Sequence, residues 1–144
     1  MINTYILLVD DEVPFVETMT KRLSKRGLQV ISSLSGEKAL KVMESNRNLD
    51  VVILDVKMPG MDGIQVLQEM KKRFPLVEVI MLTGHATIET AVEGMKLGAF
   101  DYLMKPCGID ELIYKVQEAV AKKREHEERI REAAVKNALS TSFD

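Results

Sequence analysis

The chain has no tryptophan, one cysteine and only two histidines among its 144 residues. A lone cysteine, Cys107, cannot form an intramolecular disulfide, which fits a reducing compartment. Cys107 reads as a small buried or half-buried side chain rather than a reactive thiol. Zinc would want histidine or cysteine ligands, and few are available. His126 falls in a charged stretch where exposure is expected, and His85 reads as an ordinary loop residue. Neither sign of charge dominates. Twenty basic and 22 acidic residues leave a net charge of −2, so nothing draws the whole chain to nucleic acid or to an anionic membrane. No apolar run approaches the roughly 20 residues needed to cross a bilayer. The run Ile6-Leu7-Leu8-Val9 is too short for a signal-peptide core and is followed by two acids. A cytoplasmic location is expected, with no membrane and no direct nucleic-acid partner. Both G-x-x-x-x-G-K and G-x-G-x-x-G are missing, which removes the usual nucleotide loops.

What the chain does have is alternation. Residues 4–9, 28–33, 50–54, 77–82 and 100–104 are short apolar runs of the kind that form buried strands. Between them, residues 12–26, 35–45, 64–74 and 87–97 carry apolar side chains at helical spacing, and a last helix begins near Ile109. Gly27 and Pro75 act as stop signals, and residues 57–62 form a turn-rich loop. Five strand–helix repeats with short connections give an α/β domain with a parallel sheet and helices on both faces. Ligands bind such a sheet at the carboxyl ends of its strands.

Four of those ends carry chemistry. Asp10-Asp11 follow the first strand, Asp55 the third, Thr83 the fourth and Lys105-Pro106 the fifth. Each residue alone has an ordinary explanation: Asp11 could cap a helix and Asp55 could start a turn. Together they would share one pocket. Carboxylates a few ångströms apart repel by about 4 kcal/mol at an effective dielectric near 20. Such a pocket needs a cation, and Lys105 and a divalent metal are the two on offer. An all-oxygen carboxylate set suits Mg²⁺. A carboxylate facing an ammonium and a hydroxyl can act as a nucleophile toward phosphorus, because phosphoryl transfer asks chiefly for positioning and for neutralisation of the equatorial oxygens.

The fragments LLVDDE, VVILDVKMPGMDG, VIMLTGHA and GAFDYLMKP occur in order and at the separations found in one family. From Ile6 to about Ala121 the chain resembles the receiver domain of bacterial two-component response regulators. TGHATIETAVEGMKLGAFDYLMKP is similar to receivers of the sigma-54-dependent enhancer-binding activators. The resemblance implies a flavodoxin-like strand order, 2-1-3-4-5. It implies that Asp55 is the phosphorylated residue and that Asp11 binds Mg²⁺ directly, with Asp10 acting beside it through a water. The carbonyl of Lys57 would be the third protein ligand besides Asp55. Lys105, after a bond to Pro106 that is commonly cis, would pair with the phosphoryl oxygens. Thr83 would turn toward them, and Tyr102 would swing inward as Thr83 moves. Lys57 and His85 occupy the two positions that tune phosphoryl lifetime. The implied phosphodonor is a sensor histidine kinase or a phosphotransfer protein. The implied output face is helix 87–97, strand 100–104 and the final helix. Such a domain is a signalling phosphoacceptor rather than an enzyme, catalysing only its own phosphorylation and dephosphorylation.

Two other readings use the same residues. An aspartyl phosphohydrolase usually places its nucleophile after the first strand in a D-x-D arrangement, which Asp10-Asp11-Glu12 does not supply. A pseudo-receiver would act only as an interaction module, although all five pocket residues are present. The expected division is a receiver over residues 1–121 and a charged helical extension over residues 122–144, with residues 137–144 disordered. The extension carries Glu118/Lys122, Glu125/Arg129, Glu127/Arg131 and Glu132/Lys136 at i,i+4. Its apolar stripe of Ile109, Leu112, Ile113, Val116 and Val120 lapses at Lys123 and Glu127. The extension is either a solvated, fraying tail or a dimerising helix. The output partner stays open: a stand-alone receiver and a receiver from a transcriptional activator both fit, and a homodimer could use the output face or the final helix.

Overall fold

The computed structural model describes residues 3–141. Five strands alternate with five helices: β1 Tyr5–Val9, α1 Val13–Lys25, β2 Gln29–Ser33, α2 Gly36–Ser45, β3 Val51–Leu54, α3 Gly63–Arg73, β4 Glu78–Thr83, α4 Ile88–Lys96, β5 Asp101–Met104 and α5 Ile109–Thr141. The sheet is wholly parallel in the order β2-β1-β3-β4-β5, as expected. Every strand and helix begins within a residue or two of its expected place, and all but the last helix end within that margin.

Alternation along the strands builds two cores. Leu7, Val9, Val52, Leu54, Val79 and Met81 face one side, where Ala39, Leu40 and Met43 of α2 and Val66, Leu67 and Met70 of α3 cover them. Ile6, Leu8, Val51, Ile53, Ile80 and Leu82 face the other, under Val16, Met19 and Leu23 of α1 and Leu112, Val116 and Val120 of α5. β3 and β4 are buried at every residue, which is why their sequences read as unbroken apolar runs. Their side chains point alternately to opposite cores, so the fold is stabilised from both faces at once. Helix starts are capped locally. Ser35 accepts from the Lys38 amide, and reciprocal capping boxes join Asp62 to Gln65 and Thr87 to Thr90.

The lapse in the α5 stripe has a structural reason. Lys123 is buried, and its Nζ donates to Asp50 Oδ1 at 3.2 Å. Asp50 is buried just ahead of β3, and its other oxygen accepts from the Tyr5 amide at 2.9 Å. Next to it Glu78, also buried, lies 3.6 Å from Lys122 and 3.8 Å from Lys71. Burial holds the Lys71 pKa below the ordinary lysine value, against the pull of Glu78. Ion pairs thus carry the contact of α5 with the body to Arg124, which lies 3.7 Å from Asp50.

Three expectations about the tail are corrected. The helix does not stop near Asn137 but runs unbroken to Thr141, over a stretch rich in alanine. The end of the segment expected to be disordered, residues 142–144, lies outside the described residues. Of the anticipated i,i+4 pairs, Glu125–Arg129 forms. Lys122 turns to Glu78 instead, Arg131 takes Glu128 at 2.7 Å, and Glu127 reaches back to Lys123 at 3.4 Å. Lys122 is drawn off by the buried Glu78, whereas the other two exchanges stay within the helix. His126, expected to be exposed, is half-buried.

Breaking a buried ion pair on one side leaves the other charge uncompensated. Lys123→Met is expected to lower the unfolding free energy by about 2 kcal/mol in urea titrations. Adding Asp50→Asn to it should recover part of that loss. Equal losses in the single and double variants would show that the pair contributes nothing.

Candidate functional site

The strand ends meet as the topology requires. Asp10 and Asp55 are the first residues past β1 and β3, Thr83 is the last of β4, and Lys105 follows β5. Backbone bonds extend the ladders past the strands and fix these loops. The Asp10 amide donates to Ser33 O at 3.1 Å, that of Asp55 to Val9 O at 2.9 Å, and that of Lys105 to Thr83 O at 2.9 Å. The Lys105–Pro106 peptide is cis. Gly63 opens α3 so close to the pocket that a Cβ there would lie 2.3 Å from the Asp55 carbonyl oxygen.

Asp10, Asp11 and Asp55 each offer a carboxylate oxygen within 4.8 Å of the others. Asp10 and Asp55 are buried, and Asp11 is the most open of the three. Asp55 Oδ1 is sealed from solvent and has no hydrogen-bond partner. A buried carboxylate oxygen without a partner is costly, and it is the atom a cation would satisfy. The donor set is all oxygen and contains neither sulfur nor imidazole. These residues therefore fit a hard divalent cation.

Lys105 lies in the pocket but not on Asp55. Its Nζ donates to Asp10 Oδ2 at 2.6 Å and to Glu12 Oε1 at 3.1 Å. Burial works against the ammonium, yet the hydrogen bonds to Asp10 and Glu12 and the charges of Asp10 and Asp55 outweigh it, so its pKa lies above the ordinary lysine value. The Asp10 carboxyl is raised. Burial is the main cause and the Asp55 charge adds to it, against the Lys105 and Glu12 hydrogen bonds.

The remaining expected residues are placed as follows. Thr83 is buried, and its hydroxyl accepts from the His85 amide at 3.0 Å. Lys57 and His85 are exposed and line an open groove of about 680 Å³ between α3 and α4. Half-buried Tyr102 packs toward α4, and its hydroxyl is 2.8 Å from Thr90 Oγ1. Sequence reasoning missed two participants. Glu12 stood in the quoted LLVDDE fragment but was given no role, and Thr90 had no signal beyond its place in a capping box.

Fold and pocket together define a class: a doubly wound α/β domain with an acidic, cation-ready pocket at the switch point of its sheet. Residues 6–117 match the response regulator receiver domain, and the chain belongs to that family. It is 34% identical over 123 residues to the DNA-binding transcriptional regulator NtrC of Escherichia coli K12, covering 85% of this chain and 26% of NtrC. It is 39% identical over 115 residues to the regulatory protein AtoC of the same organism, covering 80% of this chain and 25% of AtoC. Among solved structures it is similar to a receiver domain from Clostridium thermocellum, with a TM-score of 0.81 and 36% identity over 84% of this chain and 97% of that one. It is also similar to NtrX from Brucella abortus, with a TM-score of 0.82 and 32% identity over 90% of this chain and 29% of that one. The chain spans about a quarter of the length of the curated relatives it matches.

Relieving the pocket's unbalanced charge should be visible without any turnover. In metal-free buffer, Asp55→Asn is expected to raise the midpoint of thermal unfolding by about 3 °C. Mg²⁺ should raise the midpoint of the parent protein and leave that of Asp55→Asn nearly unmoved. Gly63→Ala should have the opposite sign in metal-free buffer, because its methyl group has no room beside Asp55.

Proposed function

We propose that this domain accepts a phosphoryl group on Asp55, with Mg²⁺, from the phosphohistidine of a sensor kinase or phosphotransfer protein. The observation that carries the reading is the convergence of three carboxylates around a buried, unpartnered Asp55 oxygen. With that oxygen turned to the cation, the other Asp55 carboxylate oxygen attacks phosphorus, the P–N bond to the donor imidazole breaks, and the imidazole leaves with its electron pair and takes up a proton. Asp10, Asp11, Asp55 and the Lys57 carbonyl would hold the Mg²⁺, which supplies neutralisation of the oxygens on the transferring group. Lys105 supplies the second positive charge. Thr83 exchanges its bond to the His85 amide for one to the new phosphoryl oxygens. The aspartyl-phosphohydrolase and pure interaction-module readings have no observation of their own in their favour. On this reading the domain is a signalling phosphoacceptor, acting in the cytoplasm, and its only catalysis is of its own phosphorylation state.

The phosphoryl group, carrying about −1.5 to −2 where the carboxylate carried a single negative charge, then biases a two-state equilibrium. The element most directly linked to it is α4, because Thr90 joins Tyr102 to the first turn of that helix. The outward side of this region is apolar: Ile88, Val92 and Met95 of α4 and Met104 of β5 are exposed. That face suits an output partner or a second copy. We place the receiver at residues 1–121 and the extension at 122–144. The extension offers Ile130, Val135 and Leu139 as an alternative route to a dimer.

Incubation with Mg²⁺ and acetyl phosphate should label Asp55, read by intact mass and by reduction of the acyl phosphate. Labelling that survives Asp55→Asn, or proceeds undiminished in chelator, would sink the reading. For self-association, Val92→Asp and Leu139→Asp separate the two surfaces in sedimentation velocity. The variant that dissociates the phosphorylated dimer identifies the face in use.

A further inference from the structure

We propose that Glu12 and Phe15 are positioning residues for Lys105. They form a resting seat that holds its ammonium on the α1 side of the pocket until phosphoryl oxygens compete for it. The inference rests on the reading of Asp55 as phosphoacceptor and goes beyond it, because it says what the lysine must leave before it can act.

Three groups from one short segment surround the ammonium. Asp10 Oδ2 is at 2.6 Å, Glu12 Oε1 at 3.1 Å, and the Phe15 ring centroid at 4.0 Å. Among the described residues no ion pair joins Lys105 to Asp55. Glu12 is the N-cap of α1, yet its side chain makes no cap hydrogen bond. Glutamate is a poor N-cap, and here the carboxylate serves the lysine instead. The Glu12 amide meanwhile donates to Asp10 Oδ1 at 2.9 Å. Both oxygens of Asp10 are therefore engaged, while Asp55 Oδ1 has no partner. The face of a half-buried phenyl ring attracts a cation without adding charge. Glu12 is largely exposed, so its ion pair is weak alone, and the ring and carboxylate act together.

Moving the ammonium onto a phosphoryl group breaks the contacts with Glu12 and Phe15. The seat therefore sets the balance between a parked and an engaged lysine. Weakening it should favour the phosphoryl-bound form.

The test uses the full chain with beryllium fluoride and Mg²⁺, a phosphoryl mimic too small to depend on the groove that Phe15 also lines. Affinity is read by calorimetry, and the Lys105 side chain by the NMR signals of its ε-methylene. Glu12→Gln and Phe15→Leu should each tighten fluoride binding about threefold. Each should also move the fluoride-free Lys105 signal toward its loaded position. In a Lys105→Met background the affinity effect of both substitutions should vanish. Glu12→Gln removes a negative charge near the anion, but Phe15→Leu does not, so the second variant isolates the seat from long-range electrostatics. An effect of Glu12→Gln that persists in Lys105→Met, with none from Phe15→Leu, overturns the proposal. If Phe15→Leu does not fold, the ring-current shift of the ε-methylene in the unsubstituted protein decides the matter: upfield supports the seat, and no shift overturns it. Fluoride binding that is unaffected by Asp55→Asn would instead overturn the phosphoacceptor reading, leaving the resting seat to stand or fall on the ring-current shift.

Discussion

Negative charge confined at one edge of the sheet is the constraint around which this domain is built. Three carboxylates within 4.8 Å of one another repel by about 4 kcal/mol per close pair at a dielectric near 20. One ammonium, bound to Asp10 and Glu12, offsets only part of this. The loops cannot relax apart, because their backbones are tied to neighbouring strands through Ser33, Val9 and Thr83. The resulting tension is electrostatic rather than conformational, and a cation would relieve it. A pocket of this kind responds strongly to added charge because its resting state is already out of balance.

The rest of the fold serves to keep that edge rigid. Two cores, one on each face, clamp β3 and β4 so that Asp55 and Thr83 are carried at the ends of fully buried strands. The opposite ends of the same strands carry Asp50 and Glu78, which anchor α5 through Lys122, Lys123 and Arg124. β3 and β4 thus each have a pocket carboxylate or hydroxyl at one end and a structural acid at the other. The helix leaves the body at a fixed point, which defines where an extension begins to be free of it.

Most of the pocket was legible in the chain before any coordinates. Asp10, Asp11, Asp55, Thr83 and Lys105 are each next to or at the end of an apolar run. Parallel topology then leaves them no choice but to share an edge. The lapse at Lys123 was visible but not interpretable, because a lysine at a core position reads as an interruption until its partner, Asp50, is known. The ion pairs of α5 were legible only in part. Spacing identifies possible partners, but Lys122 had a buried alternative outside the helix, and Glu127 paired four residues back with Lys123 rather than four ahead with Arg131. The end of the helix was underestimated because its last turns carry no buried stripe, and local propensity sustains them.

Composition and periodicity alone determined the α/β class, the five repeats, the identity of the pocket residues and the scarcity of zinc-type ligands. These follow from properties that act along the chain: side-chain period, turn chemistry and the residue type at each strand end. The tertiary structure decided which opposite charges meet. Lys105 sits with Asp10, Glu12 and Phe15 rather than with Asp55, and Thr83 and Tyr102 rest on His85 and Thr90. Such choices depend on distances of a few tenths of an ångström and on how deeply each partner is buried. Coulomb and hydrogen-bond energies vary steeply with both, and neither is encoded in spacing along the sequence.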